Sequence, residues 1–170
     1  MPAFERARGL AEFIRVRPDL LRYLTRFTGD ADLAEDLVQE TWVRLQERPP
    51  AEGGVLRGWL FRVATNLARD RERQERRRAA LLAEAASQLS PGQSANADPL
   101  AHAEGADARE RLRRALAGLS AKERTALLMR EEGFTHREIA ETVDTTTASV
   151  GWLLARALAK VAGRLGSEDA

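Results

Sequence analysis

The sequence predicts an all-α protein: two small helical domains joined by a flexible linker, the C-terminal one a helix-turn-helix. Three observations carry this. Apolar residues recur at three- and four-residue spacing in both halves of the chain, and no stretch alternates convincingly with the two-residue period of a strand. The stretch 87–107 holds Ser90-Pro91-Gly92-Gln93-Ser94 and Asp98-Pro99 but few large apolar side chains, too few to bury a core of its own. Charge divides the chain in the same way. Residues 1–78 hold 16 arginines and 13 acidic residues, 79–107 hold four acidic and no basic residues, and 108–166 hold 11 basic and seven acidic ones. Two basic modules, 1–78 and 108–166, flanking an acidic linker, 79–107, suggest two surfaces that face nucleic acid.

In the first module, Leu10, Phe13 and Ile14, then Leu20, Leu21, Leu24 and Phe27, mark a helical stripe that Pro18 is expected to break in two. Thr28-Gly29-Asp30 ends it, with Gly29 suited to a left-handed cap. Asp30 or Asp32 caps the next helix, about 32–46, whose buried stripe is Leu33, Leu37, Val38, Thr41 and Leu45. Pro49-Pro50 and Gly53-Gly54 form a loop, and a last helix is expected over 56–78. Trp59, Leu60, Val63 and Leu67 mark its buried face, and beyond Ala68 it is almost wholly charged.

In the second module, Leu112, Leu116 and Leu119 lie on one helix and Ala126, Leu127 and Leu128 on the next. Thr135 and Glu138 form a capping box that opens a short helix ending near Val143. Asp144-Thr145-Thr146 makes a turn, and a helix from about Thr147 carries Val150, Leu153, Leu154, Ala157 and Val161. Two short helices about such a turn are a helix-turn-helix, whose second helix enters a DNA major groove.

Composition excludes several classes. With no cysteine there is no disulfide, thiolate nucleophile or Cys-ligated zinc, which suits a reducing cytosol. No apolar run approaches the ~20 residues that span a bilayer, and the start, Met1-Pro2-Ala3-Phe4-Glu5-Arg6, lacks a signal pattern, so a cytoplasmic location is expected. The only histidines, His102 and His136, stand in no metal-ligand pattern, and there is no glycine loop to cradle phosphate. No catalytic residue, metal or cofactor is therefore expected, and an enzyme is disfavoured.

Three motifs remain. Asp36-Leu37-Val38-Gln39-Glu40-Thr41 reads either as a solvated acidic face or as a docking surface. Trp59-Leu60-Phe61-Arg62-Val63-Ala64-Thr65-Asn66, with eight arginines against three acidic residues over 57–78, reads as a helix laced with i, i+4 pairs such as Glu72–Arg76, or as a phosphate clamp with Asn66 available to a base edge. The C-terminal helix-turn-helix is the most specific of the three, because its apolar positions, cap and turn agree in spacing.

In this order the motifs resemble the extracytoplasmic-function group of the sigma-70 family: an Asp-Leu-Val-Gln-Glu helix, a Trp-Leu-x-x-x-Ala-x-Asn helix ending in arginines, a loose linker and a helix-turn-helix, over 20–165. The resemblance implies a sigma factor that carries core RNA polymerase to promoter DNA. It implies that Asp36, Leu37, Gln39, Glu40 and Val43 dock on the polymerase clamp coiled coil. Trp59, Arg62, Asn66, Arg69, Arg73, Arg76 and Arg77 would melt and hold the minus-ten element. Thr135, His136, Arg137, Thr146, Thr147, Ser149, Trp152 and Arg156 would read the minus-thirty-five element. The acidic linker would thread a channel built for nucleic acid, whose charge it mimics. A further implied partner is an anti-sigma factor, which can be membrane-anchored; the chain itself would not insert in a membrane.

One departure from the family pattern stands out. Basic or polar residues usual early on the recognition helix are missing from Ala148-Ser149-Val150-Gly151-Trp152-Leu153-Leu154-Ala155, leaving Arg156 and Lys160. Trp152 reads as core or partner packing, or as a contact to sugar or a thymine methyl; Gly151 costs about 1 kcal/mol against alanine but allows close backbone approach to DNA; and shape and phosphate contacts, with Thr146, Thr147 and Ser149 as donors, are expected to dominate over base readout. Two alternatives stay open: a sigma-like mimic that binds an anti-sigma factor instead of promoter DNA, and a DNA-binding repressor. In either reading of the free chain, the two modules are expected to move independently about the linker.

Overall fold

The computed structural model describes residues 3–50, 56–89 and 104–167, with side chains described over 9–50, 56–85 and 108–166. Among the described residues there are seven helices and no strand: α1 (Ala3–Thr28), α2 (Ala31–Glu47), α3 (Leu56–Leu89), α4 (Glu104–Ala117), α5 (Ala121–Glu131), α6 (His136–Val143) and α7 (Thr147–Ser167). The all-α expectation holds. Helices α1 to α3 pack on one another, and α4 to α6 pack around α7. No described helix is long and apolar enough to cross a membrane.

Local chemistry sets the helix ends. Gly29, at φ +74°, closes α1 in the left-handed region, its amide bonded to the Thr25 carbonyl at 2.9 Å. Asp30 rather than Asp32 caps α2, its carboxylate accepting from the Asp32 and Leu33 amides at 2.9 and 3.0 Å. Capping boxes open both α5, through Ser120 and Glu123, and α6, through Thr135 and Glu138. Asp144 at φ 54° makes the turn into α7.

Three expectations need correction. Pro18 does not divide the first helix: α1 runs unbroken through it. Pro18 and Ile14 are both on the exposed side, so the carbonyl four residues back that loses its partner faces water. Phe13, Val16, Leu20, Tyr23, Leu24 and Phe27 hold the opposite side in the core, while Leu10 and Ile14, expected in the stripe, are exposed. Second, α3 continues past residue 78 to Leu89 and α4 begins at Glu104, so helix enters both ends of the expected linker. The alanines and leucines of 79–85 are good helix formers even though they are all exposed and bury no core. The Pro- and Gly-containing segment 90–103 lies outside the described residues. Third, the modules meet along a packed interface instead of standing apart. The core runs on from Tyr23, whose ring centroid is 5.1 Å from Phe61, to Phe134, 4.8 Å from Phe61.

Candidate nucleic-acid interface

Three surfaces carry the expected functions, and each is positioned by a buried opposite face. On α2, the residues Ala34, Leu37, Val38, Thr41 and Leu45 face the core, which leaves Asp36, Gln39 and Val43 exposed and Glu40 half-buried, bonded to Arg44 at 3.0 Å. Leu37 is the exception among the residues expected to dock on a partner. It is only 1% exposed, because it stands three and four residues from Ala34 and Thr41 on the inward side; it positions the surface and is not part of it.

On α3, Leu60, Phe61, Ala64, Thr65 and Ala68 are buried. Residues 59, 62, 66, 69, 73 and 76 or 77, spaced by three or four, therefore lie along one side beside the buried face. Trp59 packs partly on the core, Arg62 and Arg69 are half-buried, and Asn66, Arg73, Arg76 and Arg77 are exposed. Arg73 bonds Asp70 at 2.9 Å and Arg76 bonds Glu72 at 3.0 Å. Such exposed pairs on one helix are weak and salt-screened, so a phosphate competes with them readily. The side chains form a basic stripe with one amide at its centre.

The helix-turn-helix is built differently. Ile139, Ala140, Val143, Val150 and Ala157 are buried and lock α6 against α7. At the start of α6, His136 and Arg137 are exposed, with Arg137 3.3 Å from Glu141. The Thr135 hydroxyl is committed to its cap: it accepts from the Glu138 amide and donates to the Glu138 carboxylate at 2.7 Å. Those bonds, the Thr135 side chain foremost, hold the Glu138 carboxyl below its ordinary range. Thr146 and Ser149 hydrogen-bond each other at 2.7 Å, and Thr147 is exposed. Trp152 is 64% exposed, which settles the open alternative against core.

Two basic residues of α7, Arg156 and Lys160, pair with a buried carboxylate. Glu123, 2% exposed, accepts Lys160 Nζ at 2.8 and 2.9 Å and the Ser120 amide at 2.8 Å, and lies 3.0 Å from Arg156 Nε. Burial alone would raise the Glu123 carboxyl, but the bonds from Lys160 and Ser120 and the charge of Lys160 outweigh it and hold it at about 2. Arg156 also stacks on the Trp152 ring, 5.2 Å from its centroid. Thus Arg156, expected to reach DNA, is tied to the scaffold of its own domain.

Sequence reasoning did not find the joint between the modules. Arg57 donates to the Glu132 carbonyl at 2.9 Å and lies 4.4 Å above the Phe134 ring and 5.0 Å above Phe61. Arg22 bonds the nearly buried Glu132 carboxylate at 2.8 Å, and Arg26 bonds Glu131 at 2.6 Å. Arg124, buried on α5, donates to the Phe27 carbonyl at 3.0 Å and to Glu72, stacks over Phe27 at 4.4 Å, and leaves its Nε unbonded. Burial pushes the Tyr23 hydroxyl beside this joint up to about 12, against the pull of Thr65, Thr125 and the Arg124 and Arg69 charges. The signal for the joint was present in Arg124, which follows Glu123 at a position from which the inward-facing residues 128 and 129 are four and five residues away. A guanidinium with an apolar stem suits a buried bridge at such a position.

Two family models match this architecture in order: sigma-70 region 2 over residues 13–78, which holds the α2 face and the α3 stripe, and sigma-70 region 4 over residues 109–161, which holds the helix-turn-helix. The chain belongs to the sigma-70 family. Over 60 residues it is 47% identical to the ECF RNA polymerase sigma factor SigL of Mycobacterium tuberculosis, covering 34% of each chain. It is 33% identical over 163 residues to SigG of the same species, covering 83% of this chain and 44% of that one. It is 32% identical over 145 residues to SigE of Mycolicibacterium smegmatis, covering 82% and 54%. The chain thus spans about a third to a half of the length of these curated relatives. The fold is similar to that of the sigma factor RpoE solved with the anti-sigma factor NepR from Bartonella quintana, with a TM-score of 0.67 and 24% identity over 92% of this chain and 95% of that one. It is also similar to CnrH solved with the cytosolic domain of CnrY, with a TM-score of 0.70 and 18% identity over 95% and 90%.

Proposed function

We propose that this sigma-70 family member is an alternative sigma factor that binds core RNA polymerase and directs it to a chosen set of promoters, acting in the cytoplasm. The observation that carries the reading is the α3 stripe, where Arg62, Asn66, Arg69, Arg73, Arg76 and Arg77 share one side of a helix whose other side is core. The mechanism is binding, with no catalytic centre. The exposed Asp36, Gln39 and Val43 and the half-buried Glu40 dock on the clamp of the largest polymerase subunit. The stripe holds an unpaired strand by its phosphates and by Asn66, which offsets the energy of unpairing the minus-ten element. The α6–α7 unit engages the minus-thirty-five element. The two elements are about 25 base pairs apart by name, on the order of 85 Å at 3.4 Å per pair. Modules held at ring-contact distance across Phe61 and Phe134 cannot reach both, so the joint opens when the chain binds polymerase.

Of two neighbours in fold, RpoE was solved with an anti-sigma factor and CnrH with the cytosolic domain of CnrY, which supports a protein regulator for this chain, an anti-sigma factor that can be membrane-anchored. The test is transcription in vitro from a genomic library with core polymerase and the purified chain. Discrete start sites that share upstream elements, and that disappear when Asn66 and Arg73 are changed to alanine, establish the function. One observation favours the mimic, namely that no basic side chain stands in the first two turns of α7 and that Arg156 and Lys160 beyond them pair with Glu123. That reading wins if no start sites arise while a control sigma factor is active on the same core.

A further inference from the structure

In its first turns the outward face of α7 holds only hydroxyls, which do not discriminate among bases, and apolar groups. Guanine is read by Arg or Lys, adenine by Asn or Gln, and cytosine by Asp or Glu. From Thr145 through Ala155 none of these occurs, and the first basic residues beyond, Arg156 and Lys160, are drawn to the buried Glu123. What the first turns offer outward is Thr147, Ala148, Ser149, Gly151, Trp152 and Ala155. The base feature that an apolar group reads is the C5-methyl of thymine.

Two details make this face specific. Trp152 is exposed yet held in place, with the Arg156 guanidinium against its ring and that guanidinium in turn fixed by Glu123. Gly151 has no internal reason to be glycine, because a Cβ built there meets nothing within 4 Å. A glycine inside a helix costs about 1 kcal/mol, and here the missing side chain leaves the outward face open beside Trp152. It lets the α7 backbone settle close to a groove floor beside the indole.

We propose that Trp152 is a specificity-determining residue that selects thymine in the upstream promoter element by its methyl group, with Gly151 and Ala155 admitting the approach. Phosphate contacts that set the docking come from neighbouring groups such as His136 and Arg137 on α6. This rests on the reading of the chain as a promoter-binding sigma factor.

The experiment uses holoenzyme assembled with the full chain, on a promoter taken from the start-site map. In synthetic templates each thymine of the upstream element is replaced by uracil, which removes the methyl and keeps every Watson–Crick bond. A buried methyl corresponds to about a fourfold change in an equilibrium constant, so each contacted position is expected to lower promoter occupancy about fourfold. Trp152→Ala is expected to lower occupancy on the thymine template and to abolish the thymine–uracil difference, while start-site choice through the minus-ten element persists. Equal occupancy on both templates overturns the proposal while leaving the sigma-factor reading intact. So does a Trp152→Ala variant that loses transcription equally on both, which would make the face a protein contact. No initiation on the unmodified template overturns the reading and the proposal together.

Discussion

The two helices assigned to DNA, α3 and α7, solve opposite problems with opposite surfaces. Along α3 the stripe arginines Arg73 and Arg76 point outward and pair with neighbours one helical turn away. Along α7, Arg156 and Lys160 are held by a buried carboxylate, and the outward face of the first turns is centred on Trp152. The first arrangement grips any phosphate chain strongly and with marked salt dependence. The second adds little electrostatic affinity but has a shape. On the proposed reading, affinity and discrimination are placed on different helices.

The largest effect is expected from removing charge on the stripe. Changing Arg69, Arg73 and Arg77 together to alanine should lower holoenzyme affinity for a forked minus-ten template roughly hundredfold at low salt. The slope of log affinity against log salt should become shallower by about 2, at ~0.7 per single-strand phosphate contact. Arg156→Ala should leave that slope nearly unchanged. Filter binding across a salt series measures both, and equal slopes for the two variants would erase the contrast between the helices.

Next in size is the joint that brings the modules together. Arg124→Met removes the bonds to the Phe27 carbonyl and to Glu72. Because it strips partners from partly buried groups, it should destabilise the closed chain by about 3 kcal/mol. Each module keeps its own apolar core, so helix content by circular dichroism should stay the same while the radius of gyration in solution scattering increases. An unchanged radius would mean that the ring contact between Phe61 and Phe134 holds the modules without Arg124.

Glu123 provides a smaller test that acts on α7 alone. Glu123→Gln should cost about 2 kcal/mol at neutral pH through loss of the ion pairs to Lys160 and Arg156 and weakening of the α5 cap. Its folded carboxyl lies near 2 against an ordinary 4.5. The stabilisation is therefore complete above about pH 4.5 and is lost as the pH falls from there towards 2. Urea midpoints of the two proteins should differ at pH 7, differ less at pH 3, and converge only as the pH approaches 2. At neutral pH the freed Arg156 and Lys160 should steepen the salt dependence of promoter binding, making α7 behave more like α3.

How much of this could be read in the sequence follows from how local each cause is. The caps at Gly29, Asp30 and Thr135, the turn at Asp144 and the helix-turn-helix depend on residues within one turn of each other, and all were anticipated. The α3 stripe was legible because spacing alone puts those residues on one side. Leu37 was misassigned because a motif names consecutive residues and a helix distributes them over opposite faces. The continuous α1 was missed because packing along its whole inner side outweighs what Pro18 removes. The joint was invisible because Arg57, Arg124 and Glu132 gain their partners from residues 52 to 110 positions away, and charge in a sequence reads as solvent exposure. The inward turn of Arg156 and Lys160 was hidden for the same reason, since Glu123 lies 37 residues before Lys160.

The smallest expected effect separates fold from function on α7. A Cβ at Gly151 and one at Gly163 both meet nothing within 4 Å, so alanine at either position removes a helix penalty without crowding the chain. Each of Gly151→Ala and Gly163→Ala should stabilise by up to about 1 kcal/mol, seen as a rise of about 2 to 4 °C in Tm. Their effects on promoter occupancy should diverge. Gly163 lies near the C-terminal end of α7, away from the first turns that enter a groove, so its variant should bind as the natural chain does. Gly151 stands beside Trp152 on the approach face, and its variant should be more stable yet weaker on the upstream element. A Gly151→Ala chain that gains stability and keeps full occupancy would show that α7 does not come close enough to the base edges for a single methyl to matter.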